Sequence, residues 1–491
     1  MTLPSLLAPP RRAELRRLLA TRLAAIAGDA AAHVALSVTI DLGDGAPCDW
    51  LDLEFADTHS FWWARPEADE WRLALGQALI VASAGPNRFP ALHAAFAGLA
   101  GEWRHSDVDG AGKKAGRIPA AHLGFAFDED EQEELPNARL VVPALLLVSK
   151  GGRCSATFTC SGSTIDEAVD GWIGELSLLT RQRPRVHGER DRPQRLQTPL
   201  ADRAFIARVR AALAGIATGS LQKLVVSRSV RLQGERPIAV APVLASLARR
   251  YPACTIYAVG RPGFAFVGAT PERLVELAAG TARADALAGT SWAADGAGNA
   301  TSAPASLRLE DDKNSREQAH VVHAVRAALA PLCHSLSQSQ SPEVLRLRHL
   351  QHLRTVFSGS VTEGVGLFDL IAALHPTPAV GGTPAAAARA WLRTRGERRA
   401  AWYSGGVGWI DAAGDGEVVV ALRCARIAGN RADCHAGAGI VAGSDPEQEF
   451  AETEAKFGAV IDALCLPDAQ ASSMAEAGQA QPRADGRTGT R

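Results

Sequence analysis

Residues 437–456 read GAGIVAGSDPEQEFAETEAK, and this stretch carries the clearest local pattern of the chain. It predicts a tight glycine turn, then a short apolar strand, and then a helix that begins at residues 444–446, where serine and aspartate precede a proline. Glu449, Glu452 and Lys456 are spaced i, i+3 and i+7 along that helix, so they share one of its faces. We expect this face, together with backbone N–H groups near the glycines, to meet a cation or an acidic ligand.

The segments around this stretch predict a chain of the α+β class. Strands are predicted at residues 221–232 and 255–270, a hairpin at 402–429, and helices at 11–27, 201–217, 313–329 and 367–374. Because strands and helices come in runs rather than in strict alternation, an α+β fold is favoured over a doubly wound parallel sheet. The absence of a GxGxxG motif after a strand and of a GxxxxGK[ST] motif gives dinucleotide and P-loop sites little support.

The composition divides the chain of 491 residues into three parts. Residues 1–190 contain short strand-like runs and clustered tryptophans, and we expect this N-terminal half to act as a scaffold. Residues 181–199 are charged and proline-bearing, which predicts a connection over the surface. Residues 200–466 carry most of the recognisable motifs and are the expected catalytic region. Residues 467–491 are rich in Ala, Gly, Ser, Gln and Arg, and this composition predicts a disordered tail.

The bulk composition is that of an ordinary globular protein. Hydrophobic residues make up 47% of the chain, charged residues make up 21%, and the formal net charge is -1. This balance gives no reason to expect nucleic acid or an anionic membrane as a partner. The eight cysteines form no CxxC pair, and neither a signal peptide nor a membrane span is recognised. We therefore expect a cytoplasmic protein with free thiols and no zinc site.

Lys223 and Glu272 suggest a base and an acid. Lys223 lies in the apolar strand LQKLVVSRSV, where an ammonium is costly unless it loses its proton or finds a partner. Glu272 lies in FVGATPERL, directly after a strand. A neutral lysine can act as general base, and a carboxyl at the mouth of a sheet can act as general acid. The alternatives are a lysine that reaches water at the strand edge and an acid at a helix N-terminus.

Glu317 suggests a metal site. It precedes Val321 and Val325 at steps of four residues, so it shares the inward side of the predicted helix. A carboxylate on that side needs a cation, and together with the acids of residues 449 and 452 it would complete an all-oxygen site suited to Mg²⁺. The alternative is a salt bridge with Lys313, one turn earlier on the same helix.

Arg423 and His375 are weaker candidates. Arg423 interrupts the apolar segment VVVALRCARI, which favours the binding of a planar anion over a bare surface position. His375 opens the proline-rich loop HPTPAVGG, where a hydrogen-bonded structural histidine is the more common case.

Taken in order, these segments resemble the chorismate-utilising enzymes, the family that includes anthranilate synthase component I. The resemblance covers about residues 201–466, over half of the chain, and its ordered motifs make it highly specific. The motifs are KLVVSR, GATPERL, ALAGT, KNSREQAHVV, HPTPAVGGTP, WYSGGVGW, ALRCARI and GAGIVAGSDPEQEFAETEAK.

The resemblance implies two large stacked antiparallel β-sheets flanked by helices, formed as one interleaved domain. It also implies chorismate as the substrate, Mg²⁺ as the cofactor and no organic cofactor. Carried over residue by residue, it makes Glu317 and Glu452 metal ligands, with Glu449 nearby, and it places His375 near the reacting ring. The residues that it assigns to substrate binding are Gly289, Thr290, Tyr403, Arg423, Gly437, Ala438, Gly439 and Lys456.

Members of this family differ in the nucleophile that they add to the ring. Lys223 stands where the water-using members carry a base, whereas the ammonia-using members typically carry a residue such as glutamine. Glu272 would then protonate the departing C4 hydroxyl. The loop HPTPAVGGTP also resembles that of isochorismate synthases and lacks the glycine-alanine-proline-lysine sequence of the ammonia users. We therefore expect an isochorismate synthase, acting as a monomer or weak homodimer.

Other members of the family stay open as alternatives. The nearest is salicylate synthase, which adds pyruvate elimination to the same first step. An ammonia-using anthranilate or aminodeoxychorismate synthase component and a non-catalytic chorismate-binding relative are further ones. Ser291 and Trp292 replace a basic residue that often follows the family's LAGT sequence, and the loop at 293–308 is unusually long and neutral. Isochorismate feeds both menaquinone and siderophore biosynthesis, and the sequence does not distinguish these two routes.

Overall fold

The structure is a computed structural model, and it describes residues 7–28, 35–44, 58–110, 119–130, 134–180, 192–196, 199–292, 312–348 and 350–465 of the chain. The helices of these residues are α1 (Pro9–Ala27), α2 (Arg88–Glu102), α3 (Ile165–Thr180), α4 (Pro199–Ala217), α5 (Val240–Arg250), α6 (Asp312–Leu329), α7 (Leu367–Leu374), α8 (Ala385–Thr394) and α9 (Pro446–Cys465). Among them, none combines the length and the apolar character that a membrane span requires.

The strands of the first half of the chain are β1 (Leu36–Asp44), β2 (Ser60–Arg65), β3 (Glu70–Leu75), β4 (Leu79–Ser83), β5 (Arg104–Asp107), β6 (Ala120–Phe125), β7 (Ala138–Val142), β8 (Leu145–Lys150), β9 (Arg153–Cys160), β10 (Gln194–Arg195) and β11 (Lys223–Gln233). Those of the second half are β12 (Thr255–Arg261), β13 (Phe264–Thr270), β14 (Arg273–Ala278), β15 (Thr281–Trp292), β16 (Cys333–Gln338), β17 (Glu343–Arg346), β18 (Leu350–Val361), β19 (Gly382–Thr383), β20 (Gly406–Asp411), β21 (Gly416–Val420), β22 (Cys424–Ala428) and β23 (Arg431–Val441).

These strands form two large sheets. Sheet A has thirteen strands in the order β10-β11-β23-β22-β13-β12-β2-β3-β8-β9-β1-β5, with β19 beside β11. Sheet B has ten strands in the order β16-β18-β15-β14-β21-β20-β6-β7-β4, with β17 beside β18. Among the described strands, β1 and β5 pair in parallel and the other pairs are antiparallel. The predicted α+β class, with two large sheets flanked by helices, is confirmed.

Neighbouring side chains on one strand show the layers of the fold. Trp63 of β2 joins an apolar cluster that also contains residues of β20 and β21, so this cluster lies between the two sheets. Trp62 points to the opposite face of sheet A and packs with α1 and α3. A third cluster contains residues of α2, α4, α6, α7 and α8, and these helices cover sheet B and the β11–β23 end of sheet A. Successive strand residues face opposite sides, so almost every position of such buried strands is apolar.

Both sheets combine strands from the two halves of the chain. In sheet A, β12 pairs with β2, and in sheet B, β20 pairs with β6. The assignment of residues 1–190 to a scaffold stays a prediction. The expected tail at 467–491 and the loop at 293–308 lie outside the described residues, as does most of the connection at 181–199.

The chain crosses from one sheet to the other several times among the described strands, and two of these crossings position residues of the site. Between β13 and β14 it passes through Pro271 and Glu272, and between β21 and β22 it passes through residues 421–423. The sequence predicts one hairpin over 402–429, but only β20 and β21 form a hairpin, and β22 belongs to sheet A. Arg423 makes this crossing with a left-handed φ of 49°, which ends one strand and turns the backbone toward the next.

Candidate active site

Two paired strands of sheet A form the floor of the site. In the register of β11 with β23, Lys223 lies opposite Val441, and Val225 lies opposite Gly439. Residues that face each other on antiparallel strands share one face of the sheet, so Lys223 and Gly439 are on the same side. Ala438 points to the other side and is buried in the apolar cluster that also contains residues of α4. Ala438 therefore offers only its backbone to this face.

Gly437 and Gly439 lie within β23, so the predicted tight glycine turn is wrong. Both positions require glycine because other side chains occupy the space of a Cβ atom. At Gly439 a Cβ would overlap Oε1 of Glu317 and lie 3.2 Å from Cε of Lys223. At Gly437 a Cβ would lie 2.9 Å from the hydroxyl of Tyr403. The glycines let these side chains approach the strand backbone closely, which is a common use of glycine inside a strand.

Lys223 and Glu317 form a buried ion pair over this floor. Lys223 has no exposed surface, and its Nζ lies 3.0 Å from Oε1 of Glu317 on α6. The contact is not aligned as a hydrogen bond, so Nζ of Lys223 has no hydrogen-bond partner among the described residues. The sequence left a Glu317–Lys313 salt bridge as an alternative, and the structure contradicts it, because Lys313 turns to Glu449.

Glu449 and Glu452, one turn apart on α9, are each paired with a lysine. Lys313 Nζ lies 2.6 Å from Oε1 of Glu449, and Lys456 Nζ lies 2.5 Å from Oε1 of Glu452. Lys456 also donates a hydrogen bond of 2.9 Å to the carbonyl of Gly437, which ties α9 to the floor. The shared helix face that the sequence predicts is confirmed by the contact between residues 452 and 456. Asp445 caps the helix by accepting hydrogen bonds from the backbone N–H groups of its first turn.

The two carboxyls of α9 have opposite pKa shifts. Burial raises the pKa of Glu449, and the nearby charge of Glu452 raises it further, while Lys313 lowers it by less. Burial also acts to raise the pKa of Glu452, but Lys456 and Lys313 outweigh it and hold this pKa below its usual range. Carboxyls that are close together resist ionising at the same time, so the electrostatic environment separates their titrations.

Glu272 is a buried carboxyl at the crossing between the sheets. It is 3% exposed, and its Oε1 has no hydrogen-bond partner among the described residues. Burial raises its pKa to about 8, against the opposing charges of Lys223, Arg423 and Lys456. A carboxyl with this pKa keeps its proton at neutral pH and can give it to a substrate.

Gly289 and Thr290 form a bulge on sheet B that faces α6. The register of β15 with β18 shifts between Ala288 and Thr290, and Gly289 has a left-handed φ of 66°. The backbone N–H of Thr290 donates a hydrogen bond of 3.1 Å to Oδ1 of Asn314, which fixes the bulge to the helix.

His352 is a residue of this site that sequence reasoning missed. It lies on β18 opposite Thr290, and its Nε2 accepts a hydrogen bond of 3.0 Å from Nη2 of Arg423. A guanidinium can only donate, so Nδ1 carries the proton and lies 3.3 Å from the carbonyl of Gly289. Burial and the charge of Arg423 lower the pKa of His352 to about 3. The neutral ring therefore joins Arg423, in the crossing between the two sheets, to the bulge of sheet B.

Tyr403 completes the group near Gly437. Its side chain is 3% exposed and stacks on the ring of His435 at 5.3 Å between centroids. Burial raises its pKa to about 12, so the phenol stays protonated and can donate a hydrogen bond.

His375 lies in an aromatic cluster rather than with the other candidates. Its ring contacts Phe89, Phe125 and Phe127 edge-on, and its Nε2 lies 3.1 Å from the carbonyl of Phe127. Burial lowers its pKa to about 3. These contacts are those of a hydrogen-bonded structural histidine, and a catalytic role for His375 stays an untested prediction.

The charges of the three predicted metal carboxylates all act on Lys313, but the described residues contain no ready-made cluster of three metal ligands. Each of the three acids contacts a lysine instead. Both oxygens of Glu449 are buried without a hydrogen-bond partner among the described residues, because Lys313 approaches out of line. A buried carboxylate in this state costs free energy unless a cation or donor satisfies it. The chemistry of Glu317, Glu449 and Glu452 thus fits a hard divalent cation, although lysines hold them in this structure.

The arrangement can therefore supply a buried amine, a protonated carboxyl, several anion-binding groups and three carboxylates that suit a cation. Sequence comparison identifies a family and relatives that the chain resembles. The family model for chorismate binding enzymes matches residues 22–465. The chain is 30% identical over 358 residues to isochorismate synthase MenF of Bacillus subtilis, covering 70% of this chain and 74% of that protein.

Two further comparisons extend this result. The chain is 31% identical over 353 residues to the salicylate biosynthesis isochorismate synthase of Pseudomonas aeruginosa, covering 70% of this chain and 73% of that protein. Among solved structures, MenF, the menaquinone-specific isochorismate synthase from Escherichia coli, aligns with a TM-score of 0.73 and 27% identity. That alignment covers 92% of this chain and 99% of the MenF chain.

Proposed function

The chain belongs to the family of chorismate binding enzymes, and we propose that it is an isochorismate synthase. In this reaction water adds at C2 of chorismate, the ring double bonds shift, and the C4 hydroxyl leaves. One water enters and one leaves, so the sum is an isomerisation. The similarity to isochorismate synthases over about 70% of the chain supports the proposal.

The observation that supports this chemistry is that Lys223 and Glu272 are both buried and interact electrostatically. Lys223 is fully buried, and its charge acts on Glu272. To act as the base, the ammonium of the Lys223–Glu317 ion pair first loses its proton, and the resulting amine accepts a proton from the attacking water. Glu272, whose pKa is raised to about 8 by burial, gives its proton to the departing hydroxyl. Each positioned proton transfer is worth about 10²–10⁴ in rate.

After one turnover Lys223 holds a proton and Glu272 lacks one. The enzyme returns to its starting state when one proton passes from Lys223 to Glu272, directly or through water. Since the reaction is reversible, the two residues exchange roles in the opposite direction. Both groups therefore need to remain close, and the charge of Lys223 acts directly on the Glu272 carboxyl.

We assign the substrate's carboxylate to the polar groups around Gly437. Lys456 and Arg423 bring positive charge to this place, and Tyr403 brings a phenol close to Gly437. Arg423 is oriented by its hydrogen bond to His352. Guanidinium and ammonium groups bind carboxylates strongly where water is excluded. The bulge at Gly289 and Thr290 would form the wall over the ring.

Mg²⁺ is the cofactor that we propose, with Glu317 and Glu452 as its ligands and Glu449 near it. When bound, it would neutralise carboxylate charge and help to orient the ring. Glu452 keeps its negative charge at neutral pH because Lys456 and Lys313 lower its pKa, which suits it to hold a cation.

The cytoplasmic location and the monomeric or weakly dimeric state stay predictions, as does the metabolic route that the product enters.

The proposed function is tested by incubating the full chain with chorismate and Mg²⁺ and separating the products by chromatography. Isochorismate is the expected product, with or without added ammonia. Accumulation of salicylate and pyruvate, or formation of anthranilate or aminodeoxychorismate from ammonia, would replace the proposal by one of the alternative family members.

A further inference from the structure

Three lysines neutralise the three carboxylates of the proposed cation site. The pairs are Lys223 with Glu317, Lys313 with Glu449, and Lys456 with Glu452, at 3.0, 2.6 and 2.5 Å. The carboxylates carry at most three negative charges, and three ammonium groups already balance them. With all three lysines protonated, a divalent cation would meet a neutral cluster, so at least one ammonium has to move away or lose its proton when the cation binds.

Two of the three lysines are held in place. Lys223 is on β11, which is paired with β19 and β23 at this residue, and it has no exposed surface through which to move away. Lys456 donates a hydrogen bond to the carbonyl of Gly437 in addition to its contact with Glu452. The proposed reaction also uses both of them, one as the base and one at the substrate carboxylate.

Lys313 differs from these two in its freedom. It lies in the first turn of α6, its side chain is 20% exposed, and its contact with Glu449 is not aligned as a hydrogen bond. A lysine has a flexible four-carbon stem and can turn its ammonium toward water. The charges of Glu449, Glu452 and Glu317 all act on its ammonium, in this order of strength. Lys313 is thus the lysine that interacts with all three carboxylates, and it is also the one that can most easily move away from them.

We propose that Lys313 competes with the divalent cation for the same carboxylates. The ammonium of Lys313 pairs with the carboxylate of Glu449 and interacts with its neighbours until the cation displaces it. The inference rests on the proposed function, because it takes the three carboxylates as the cation site. Its consequence is that the free enzyme binds the cation weakly. Removing the ammonium of Lys313 strengthens cation binding even though it removes a residue of the site.

Binding of Mn²⁺ to the full chain without chorismate tests this inference without any activity measurement. Free and bound Mn²⁺ are distinguished by electron paramagnetic resonance. Lys313→Met removes the charge and keeps the length of the side chain, whereas Lys313→Arg keeps the charge. Arg316→Met is the matched control: Arg316 is an exposed residue of the same helix and reaches the carbonyl of Ala442 rather than a carboxylate.

Lys313→Met is expected to bind Mn²⁺ at least about tenfold more tightly than the unmodified protein. Lys313→Arg and Arg316→Met are expected to stay within about twofold, since the first keeps the competing charge and the second removes a charge that contacts no carboxylate of the described residues. Lys313→Gln serves the same purpose if the methionine variant does not fold, and circular dichroism checks the fold of each variant.

Equal or weaker Mn²⁺ binding by Lys313→Met would overturn the inference, because Lys313 would then hold Glu449 in its binding position. A similar gain in Arg316→Met would also overturn it, since the effect would be one of overall charge. If neither the unmodified protein nor Lys313→Met binds Mn²⁺, the inference is wrong. The product assay judges the proposed function separately, because it is performed on the unmodified protein and identifies the compound formed.

Discussion

Lys223 Nζ lies 3.0 Å from Glu317 Oε1, and this pair covers Gly439 so closely that a Cβ atom there would overlap the carboxylate. The pair connects β11 of sheet A to α6 and passes over Gly439 of β23, which has no side chain. The proposed base and a proposed cation ligand are therefore in contact in the free protein. The role of the glycine follows from this contact rather than from a turn.

Gly439→Ala is therefore expected to reduce activity with a limited loss of stability. The added methyl group displaces the Glu317 carboxylate and Lys223, and such small displacements of reacting groups can lower kcat by about 10²-fold. Isochorismate formation by chromatography measures this effect. Gly458→Ala on α9 is the control, because its Cβ would meet nothing within 4 Å. Equal activity of Gly439→Ala and the control would contradict the geometry described for the floor.

Lys223→Met is expected to remove hydration while leaving chorismate binding largely intact. The methionine fills the buried space of the lysine, but it cannot accept a proton from water. The expected loss in kcat is about 10²–10⁴-fold. Calorimetric titration with chorismate reports binding separately from the rate. A variant that keeps the rate of the unmodified enzyme would show that Lys223 is not the base.

The pH dependence of kcat should report Glu272. Its pKa is raised to about 8 by burial, so the carboxyl is protonated below this pH and ionised above it. As a general acid it acts in the protonated form, and kcat is therefore expected to fall as pH rises through about 8. The rate is measured from about pH 6 to about pH 10 at saturating chorismate.

Glu272→Gln is the control for this profile. It should lower kcat by about 10²–10⁴-fold and abolish the fall near pH 8 in the residual rate. Glu449 also has a raised pKa and is unchanged in this variant. A fall in rate at the same pH that persists in Glu272→Gln would assign the titration to another group.

Glu452→Gln is expected to weaken cation binding. The amide keeps the shape of the side chain but removes the charge that Lys456 and Lys313 stabilise. Mn²⁺ affinity should fall at least about tenfold, as it does when the surroundings of metal sites are altered. Glu447→Gln, an exposed acid in the first turn of the same helix, is the matched control. Identical Mn²⁺ titrations of the two variants would exclude Glu452 from the cation site.

Local sequence patterns predict the helices of this region well. The predicted helix at 367–374 is α7, and that at 313–329 is α6 within one residue, because periodic apolar residues define both. The helix start near Asp445 is also confirmed, since capping depends on residues that are adjacent in the sequence. The position of Glu449, Glu452 and Lys456 on one face follows directly from helix geometry.

Contacts between distant segments are not predicted in this way. The motif around Arg423 reads as a continuous strand, yet the chain changes sheets there, and an apolar pattern is the same in either sheet. His352 is an isolated polar residue on a strand, and only the register of β15 with β18 reveals its contact with Arg423. Helix spacing offers Lys313, one turn away, as the alternative partner of Glu317, but the residue in contact with Glu317 is Lys223 on a different element.

The most direct test of the central claim is the source of the oxygen at C2. The unmodified enzyme is incubated with chorismate and Mg²⁺ in water enriched in ¹⁸O. The product is isolated early in the reaction, and its mass is measured by mass spectrometry. Isochorismate that carries one ¹⁸O from the solvent is the predicted result. Unlabelled isochorismate, or a product that contains nitrogen when ammonia is present, would contradict water addition by Lys223 and Glu272.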